Sequence, residues 1–200
     1  MRQLFIGSAV MSVAVYAAIG WLPAFLIRSH GFGTASAGVV LALLLGGLGA
    51  AGTLGGGWLA DRLGARDAAW RLRVVAAAQL ATVPFWLGAL LVREPALVVT
   101  FLCVPAAALC IYLAPTFAAV QSLAEPATRA LAAALLILIG SLVGLGLGPL
   151  AVGVLSDALR PAHGADSLRV ALLAVVPLLA WSAAHYFAAS RTLAADLGKP

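Results

Sequence analysis

The sequence predicts an all-α integral membrane protein. It forms one transmembrane domain over residues 1–200, with six transmembrane helices arranged as a 3+3 inverted repeat of about 1–95 and 96–200. Three observations carry this: the composition, six apolar runs separated by short gaps, and segments that recur at a near-constant offset. Of the 200 residues, 64% are apolar and 10% charged, with a mean hydropathy of +1.08. A soluble domain is about 45–50% apolar and about 25% charged. A water-soluble globule with this composition could not cover its own surface and is excluded.

The apolar runs are Leu4–Ile27, Ala35–Ala60, Val74–Val92, Ala96–Gln121, Ala130–Leu155 and Leu168–Ala189. A helical span needs about 20 mostly apolar residues, and each run reaches that length or nearly so. The first is too long for the ~7–15-residue apolar core of a signal peptide, and five more follow it. Backbone groups in lipid must be satisfied internally, so these runs read as helices rather than as ~10-residue alternating barrel strands. Cys103 and Cys110 lie on the fourth run, two turns or about 10 Å apart along the axis, out of reach of a disulfide.

The cations orient the chain. Arg2, Arg62, Arg66, Arg71, Arg73, Arg129, Arg191 and Lys199 fall on one side of alternating spans, and Arg28, Arg93, Arg160 and Arg169 on the other. The richer side marks the cytoplasm, with both termini there. The pI near 10.0 therefore reports membrane orientation and not nucleic-acid binding, which needs a clustered solvated basic face. Absent Asn and eleven Arg against one Lys point to a GC-rich bacterial genome and an inner-membrane location. Three scattered histidines offer no metal-ligand spacing; no cofactor or metal is expected.

The internal repeat rests on two matches. Gly57-Trp58-Leu59-Ala60-Asp61-Arg62-Leu63 closes the second run, and Gly153-Val154-Leu155-Ser156-Asp157-Ala158-Leu159 closes the fifth, 96 residues later. Trp21-Leu22-Pro23-Ala24-Phe25 in the first run corresponds to Tyr112-Leu113-Ala114-Pro115-Thr116-Phe117 in the fourth, offset by 91 to 92. An odd number of helices per unit turns the second copy upside down, as in many secondary transporters.

The sharpest motif is Gly57-x-x-x-Asp61-Arg62-x-Gly64-x-Arg66. In it Gly57 permits close helix packing and Gly64 a tight turn, while the charges can pair across an interface that opens and closes. The segment resembles the signature loop of the major facilitator superfamily, with Ala65 where that family often carries a cation. Arg129 at the mouth of the fifth run, followed by Gly140-x-x-x-Gly144-x-x-x-Gly148-Pro149, looks like the family's penultimate helix. Trp21-Leu22-Pro23-Ala24-Phe25-Leu26, Arg28-Ser29-His30-Gly31 and Tyr112-x-x-Pro115 leading to Gln121 are similar to bacterial spinster-like members.

The resemblance implies half of a twelve-helix fold, the C-terminal six, acting as a secondary transporter by alternating access for a small or amphipathic organic solute. Its partners would be the bilayer, that solute, and either a missing N-terminal half or a second copy. No enzyme activity is implied. Gly57, Asp61, Arg62, Gly64, Arg66 and Arg129 become the cytoplasmic gating motif, and Gly140, Gly144 and Gly148 a helix-packing face.

Candidate cavity residues are Tyr16, Trp21, Tyr112, Thr116 and Ser141. Tyr112 and Thr116 share a helix face at i, i+4. A hydroxyl can instead bond the carbonyl four residues back, and for Ser141 and Thr53 that local bond is the preferred reading. No Asp, Glu, Lys or Arg lies at mid-membrane, so ion-coupling carboxylates are missing from this half. Rival functions fit less well. An intramembrane protease could use Ser141 with His185, but Ile139-Gly140-Ser141-Leu142 lacks the expected nucleophile setting. A channel lacks both a potassium-filter loop and any Asn for paired Asn-Pro-Ala loops.

Overall fold

The computed structural model describes residues 1–197, and every regular element among them is helical. Lys199, counted above with the arginine-rich side, lies outside the described residues. Helix α1 is Arg2–His30, and it stops where Gly31 adopts φ +69° and returns its N–H to the Ile27 carbonyl. A left-handed C-terminal residue of this kind favours glycine because a Cβ would clash. Helix α2 covers Thr34–Gly64 and carries a π-helical segment at Ala42–Leu48. Helix α3 is Trp70–Leu91. Helix α4 covers Pro95–Leu123 and is tightened at 109–112, where Cys110 and Ile111 donate three residues back.

The remaining helical stretch, Pro126–Leu197, has 72 residues. At about 1.5 Å per residue a single rod of that length would run about 108 Å, more than three times the ~30 Å hydrocarbon core. It folds back at Gly164, φ +54°, just after Pro161. Ser156 and Ser167 face each other across the reversal with 3.3 Å between their hydroxyls. Helix α5 is therefore 129–163, with π-helical turns at Gly140–Leu145, and helix α6 is 167–197, interrupted at 173–174. Five of the six apolar runs lie wholly inside these helices, and the third overruns α3 by Val92, which is extended at the helix end; elsewhere the flanking residues continue the helices beyond the runs.

Burial is uneven. The centre holds Met11, Phe25 and Leu26 of α1, Trp86 of α3, Leu102 of α4, and Leu179 and Tyr186 of α6. Where α6 is interrupted, the Leu172 carbonyl loses its partner four residues on, since the Val176 N–H turns to Leu173. The indole N–H of fully buried Trp86 donates to it at 3.2 Å, satisfying both groups. Ser182 of α6 ties to α1 by donating to the Gly7 carbonyl at 2.8 Å. Helices α2 and α5, by contrast, leave large apolar side chains uncovered, with Leu54 76% and Leu142 70% exposed.

Two backbone-to-backbone approaches set the positions of α2 and α5. A Cβ on Gly52 would lie 2.7 Å from the Ala107 carbonyl carbon of α4, and one on Gly148 would lie 2.7 Å from the Val13 carbonyl oxygen of α1. Gly56 presses instead on the Ile111 side chain, and Gly144 on Ser12 and the Tyr16 ring. The Trp21 indole N–H donates to the Pro149 carbonyl at 2.8 Å, and its ring covers Gly153. Met1 and Arg2 line one recess with Leu123, Thr192 and Asp196, so the start of α1 and the end of α6 lie at the same end of the bundle.

Candidate functional site

Helices α1, α4 and α5 enclose a cleft of about 130 Å³. Its polar lining is Ser8, Ser12 and Tyr16 from α1, Tyr112 and Thr116 from α4, and Ser141 from α5. Leu113, Phe117, Leu136 and Ile137 supply the apolar remainder. Six hydroxyls converge, and none of the lining residues is a carboxylic acid, a histidine or a cation. The cleft can hydrogen-bond a hydroxyl, carbonyl or headgroup and hold an apolar body beside it.

The hydroxyls are not equivalent. Ser12 donates to the Ser8 carbonyl at 2.8 Å. Thr116 Oγ1 donates to the Tyr112 carbonyl, which leaves the buried Tyr186 hydroxyl to donate to Thr116 at 2.7 Å. Thr116 has thus given up its only proton and is held from behind, keeping one acceptor lone pair. Ser141 is exposed and makes no hydrogen bond to another described residue, contrary to the expected local carbonyl bond. Helix α5 changes to π-helical geometry at Gly140, and π turns recur at functional sites. Thr53 does bond locally, to the Gly49 carbonyl at 3.0 Å.

Of the expected cavity residues, Tyr16, Tyr112, Thr116 and Ser141 meet in this cleft, while Trp21 is placed elsewhere, as the strut to Pro149. Ser8, Ser12 and Tyr186 did not emerge from the sequence reading. Ser8, Ser12 and Tyr16 recur every four residues, a helical polar stripe that was the available signal. Tyr186 carried none, since its value lies in a contact 70 residues away in the chain. Ser141 and His185 are not neighbours. His185 bonds Gln3, near the start of α1, whereas Gly140 packs on Ser12, about 13 Å further along that helix.

At the end of α2, Asp61, Arg62 and Arg66 are exposed, and the Arg62 guanidinium sits 5.3 Å from the Trp58 ring centroid. Gly64 differs from expectation. It remains right-handed helix, and its missing side chain makes room for the aliphatic stem of Arg71, which a Cβ would strike. Gly57 is only in ordinary contact with Ala114, so the tight approaches lie earlier in α2, at Gly52 and Gly56. Arg129 donates to the Ala124 carbonyl at 3.4 Å, closing the turn between α4 and α5. Asp67, which the motif did not include, starts α3: it accepts the Ala69 N–H at 3.0 Å and pairs with Arg73 at 3.5 Å. Gly140, Gly144 and Gly148 all face α1.

No protein-family model matches the chain. An MFS-type efflux pump of Mycolicibacterium smegmatis is 39% identical over 170 residues, covering 85% of this chain and 39% of the pump. Two crystal structures of a bacterial homologue of the human lysosomal transporter Spinster superpose along the whole chain. The inward-facing occupied form has a TM-score of 0.85 at 25% identity, and the inward-facing unoccupied form 0.87 at 27%. The chain covers 50% and 49% of those proteins, so it spans half or less of the relatives it matches. A 39% identity over most of the chain, together with superposition of the helical bundle, assigns the sequence: the chain belongs to the major facilitator superfamily.

Proposed function

We propose that the chain is the C-terminal half of a bacterial inner-membrane transporter, moving a small or amphipathic organic solute by alternating access and performing no covalent chemistry. The observation that carries this is the cleft: a concave site of converging hydroxyls beside an apolar wall, without acids or bases. Such a site binds and releases a solute but places no base beside a hydroxyl to activate it as a nucleophile. A second six-helix bundle, either upstream in a longer protein or supplied by a second chain, closes over it. The uncovered leucines of α2 and α5 are the surface left for that bundle and for lipid. The efflux-pump and Spinster-homologue relatives support transport as the activity, and the apolar wall beside the hydroxyls supports an amphiphile as cargo.

An inverted repeat of about 1–95 and 96–200 supplies the rocking geometry. Its support is a paired contact. The offset of 96 carries Gly52 onto Gly148, and the offset of 91 carries Ala107 back to Tyr16, beside which Gly148 is lodged. The π-helical turns Ala42–Leu48 and Gly140–Leu145 overlap under the same shift. In this reading Gly57, Asp61, Arg62, Gly64, Arg66 and Arg129 form the cytoplasmic gate, and both termini are cytoplasmic.

The test is flux. Proteoliposomes holding the chain, alone and with an amino-terminal six-helix half of the efflux-pump relative, are followed with a fluorescent amphiphile. Saturable uptake accelerated by unlabelled amphiphile on the opposite side is expected, with Tyr112→Phe weakening it. Linear, non-saturating flux would refute alternating access.

A further inference from the structure

A second concave feature lies outside the cleft, between helices that supply none of its lining. Helices α3 and α6 border an apolar groove of about 470 Å³, lined by Trp70, Arg73, Ala77 and Leu80 on one side and Ala184 and Phe187 on the other. Alanines along both helices leave it open, and the large residues Trp70, Leu80 and Phe187 are themselves exposed. From Trp70 to Leu80 the groove descends ten residues, about 15 Å of helix, which is one leaflet of a ~30 Å hydrocarbon core.

The charged end is specific. The Arg73 guanidinium lies 5.6 Å from the Trp70 ring centroid, and that of Arg191 lies 4.9 Å from the Phe187 ring centroid. Two arginines thus stand over the two aromatic residues at one mouth of the groove. Asp67 takes one Arg73 nitrogen at 3.5 Å, while Arg73 Nε is buried without an acceptor among the described residues. The mouth retains net positive charge after that pairing. We propose that this groove is a binding site for an anionic phospholipid of the arginine-rich leaflet, its phosphate held by Arg73 and Arg191 and one acyl chain lying between α3 and α6. Trp70 sits at headgroup depth, where amphipathic rings concentrate, and arginine presents several donors suited to phosphate.

The test uses the purified chain in detergent, titrated with dioleoyl phosphatidylglycerol, dioleoyl phosphatidylcholine or inorganic phosphate and read by native mass spectrometry. Phosphatidylglycerol should bind at least about tenfold more tightly than phosphatidylcholine, and inorganic phosphate should not displace it. Removing one arginine near the membrane surface weakens anionic-lipid binding about fivefold. Arg73→Gln with Arg191→Gln should therefore weaken phosphatidylglycerol about 25-fold and phosphatidylcholine much less, since the choline cation already offsets its phosphate charge. Ala184→Trp, which fills the groove and keeps both arginines, should weaken both lipids, and it carries the test alone if the double variant does not fold. Equal binding of the two lipids, displacement by inorganic phosphate, or unchanged phosphatidylglycerol binding in Ala184→Trp would overturn the proposal. A chain dimer dispersed by Ala184→Trp would give the groove to a second copy and overturn it as well.

Discussion

Alanine at Gly52 or Gly148 tests whether backbone contact positions the outer helices. A methyl on Gly148 would lie 2.7 Å from the Val13 oxygen and 2.9 Å from the Ala17 nitrogen; on Gly52 it would lie 2.7 and 2.8 Å from Ala107 carbonyl and α-carbon atoms. Normal heavy-atom separations are about 3.5–4.0 Å, so the Gly148 pair must part by about 0.8 Å, and the Gly52 pair by more, since the Ala107 carbonyl oxygen lies nearer still. All these obstacles are backbone atoms, so no rotamer change relieves them. Overpacking of this kind costs about 1–3 kcal/mol, and replacing glycine by alanine within a helix returns up to about 1 kcal/mol. The net loss is about 1–2 kcal/mol. A Cβ on Gly55 or Gly146 would meet nothing within 4 Å, so alanine there should keep only the helix-propensity gain.

The assay is thermal unfolding in detergent followed by a thiol-reactive dye, since Cys103 and Cys110 are free and half-buried. For a chain of this length 1 kcal/mol moves Tm by about 2–4 °C. Gly52→Ala and Gly148→Ala should therefore lower Tm by about 2–8 °C, and Gly55→Ala and Gly146→Ala should hold or raise it. Equal shifts in the two pairs would refute the assignment of these glycines to close approach.

Further outcomes follow from single contacts. Tyr186→Phe removes the donor behind Thr116 and should cost about 1 kcal/mol, read as a Tm drop of a few degrees with secondary structure intact. Gln79 is 1% exposed with neither amide atom bonded to a described residue; Gln79→Met should raise Tm, because an unsatisfied buried polar group costs about 1–3 kcal/mol, and a fall would show that the amide is bonded in the folded protein. With Cys103 and Cys110 replaced, single cysteines at the exposed positions Ala65 and Ala195 should label from one side of the membrane and one at Ala162 from the other; Ala65 and Ala162 labelling from the same side would contradict the six-span arrangement. Asp61→Asn, in the assembly with a second half, should shift accessibility toward cytoplasm-open at least about fivefold, and unchanged accessibility would reduce Asp61 to a topology signal.

The helices were legible because membrane burial writes them as continuous apolar length, and each run from Leu4 to Ala189 coincides with an observed helix, only Val92 falling past a helix end. Their ends were less legible: Arg2, Arg28 and Arg62 lower local hydropathy yet continue the helices. Part of the cleft was legible because hydroxyls are rare in apolar runs, as with Tyr112 and Thr116. Trp21 misled for a physical reason. An indole in a span needs an acceptor, and Trp21 takes the Pro149 carbonyl, 128 residues away, which no local pattern encodes. Gly64 misled in another way, since glycine serves equally for a left-handed turn or for the stem of a neighbouring side chain.

The glycines show where sequence pattern stops and geometry begins. In α2, Gly46, Gly49, Gly52 and Gly56 form one small-residue series, yet a Cβ on Gly46 meets nothing while those on Gly52 and Gly56 meet backbone and Ile111. The difference depends on how far each residue lies from the crossing with α4, which is tertiary information. In the proposed repeat the same crossing recurs between α5 and α1 at Gly148. A contact made of two backbones has no long side chains to re-pack as helices slide, and the π-helical segments beside Gly49 and Gly146 supply a place where each helix can bend. Rigid crossings next to adjustable turns would let α2 and α5 move as levers against a stationary centre of α1, α3, α4 and α6. That division predicts faster backbone hydrogen exchange at Ala42–Leu48 and Gly140–Leu145 than at Gly52 or Gly148, and uniform protection along α2 and α5 would contradict it.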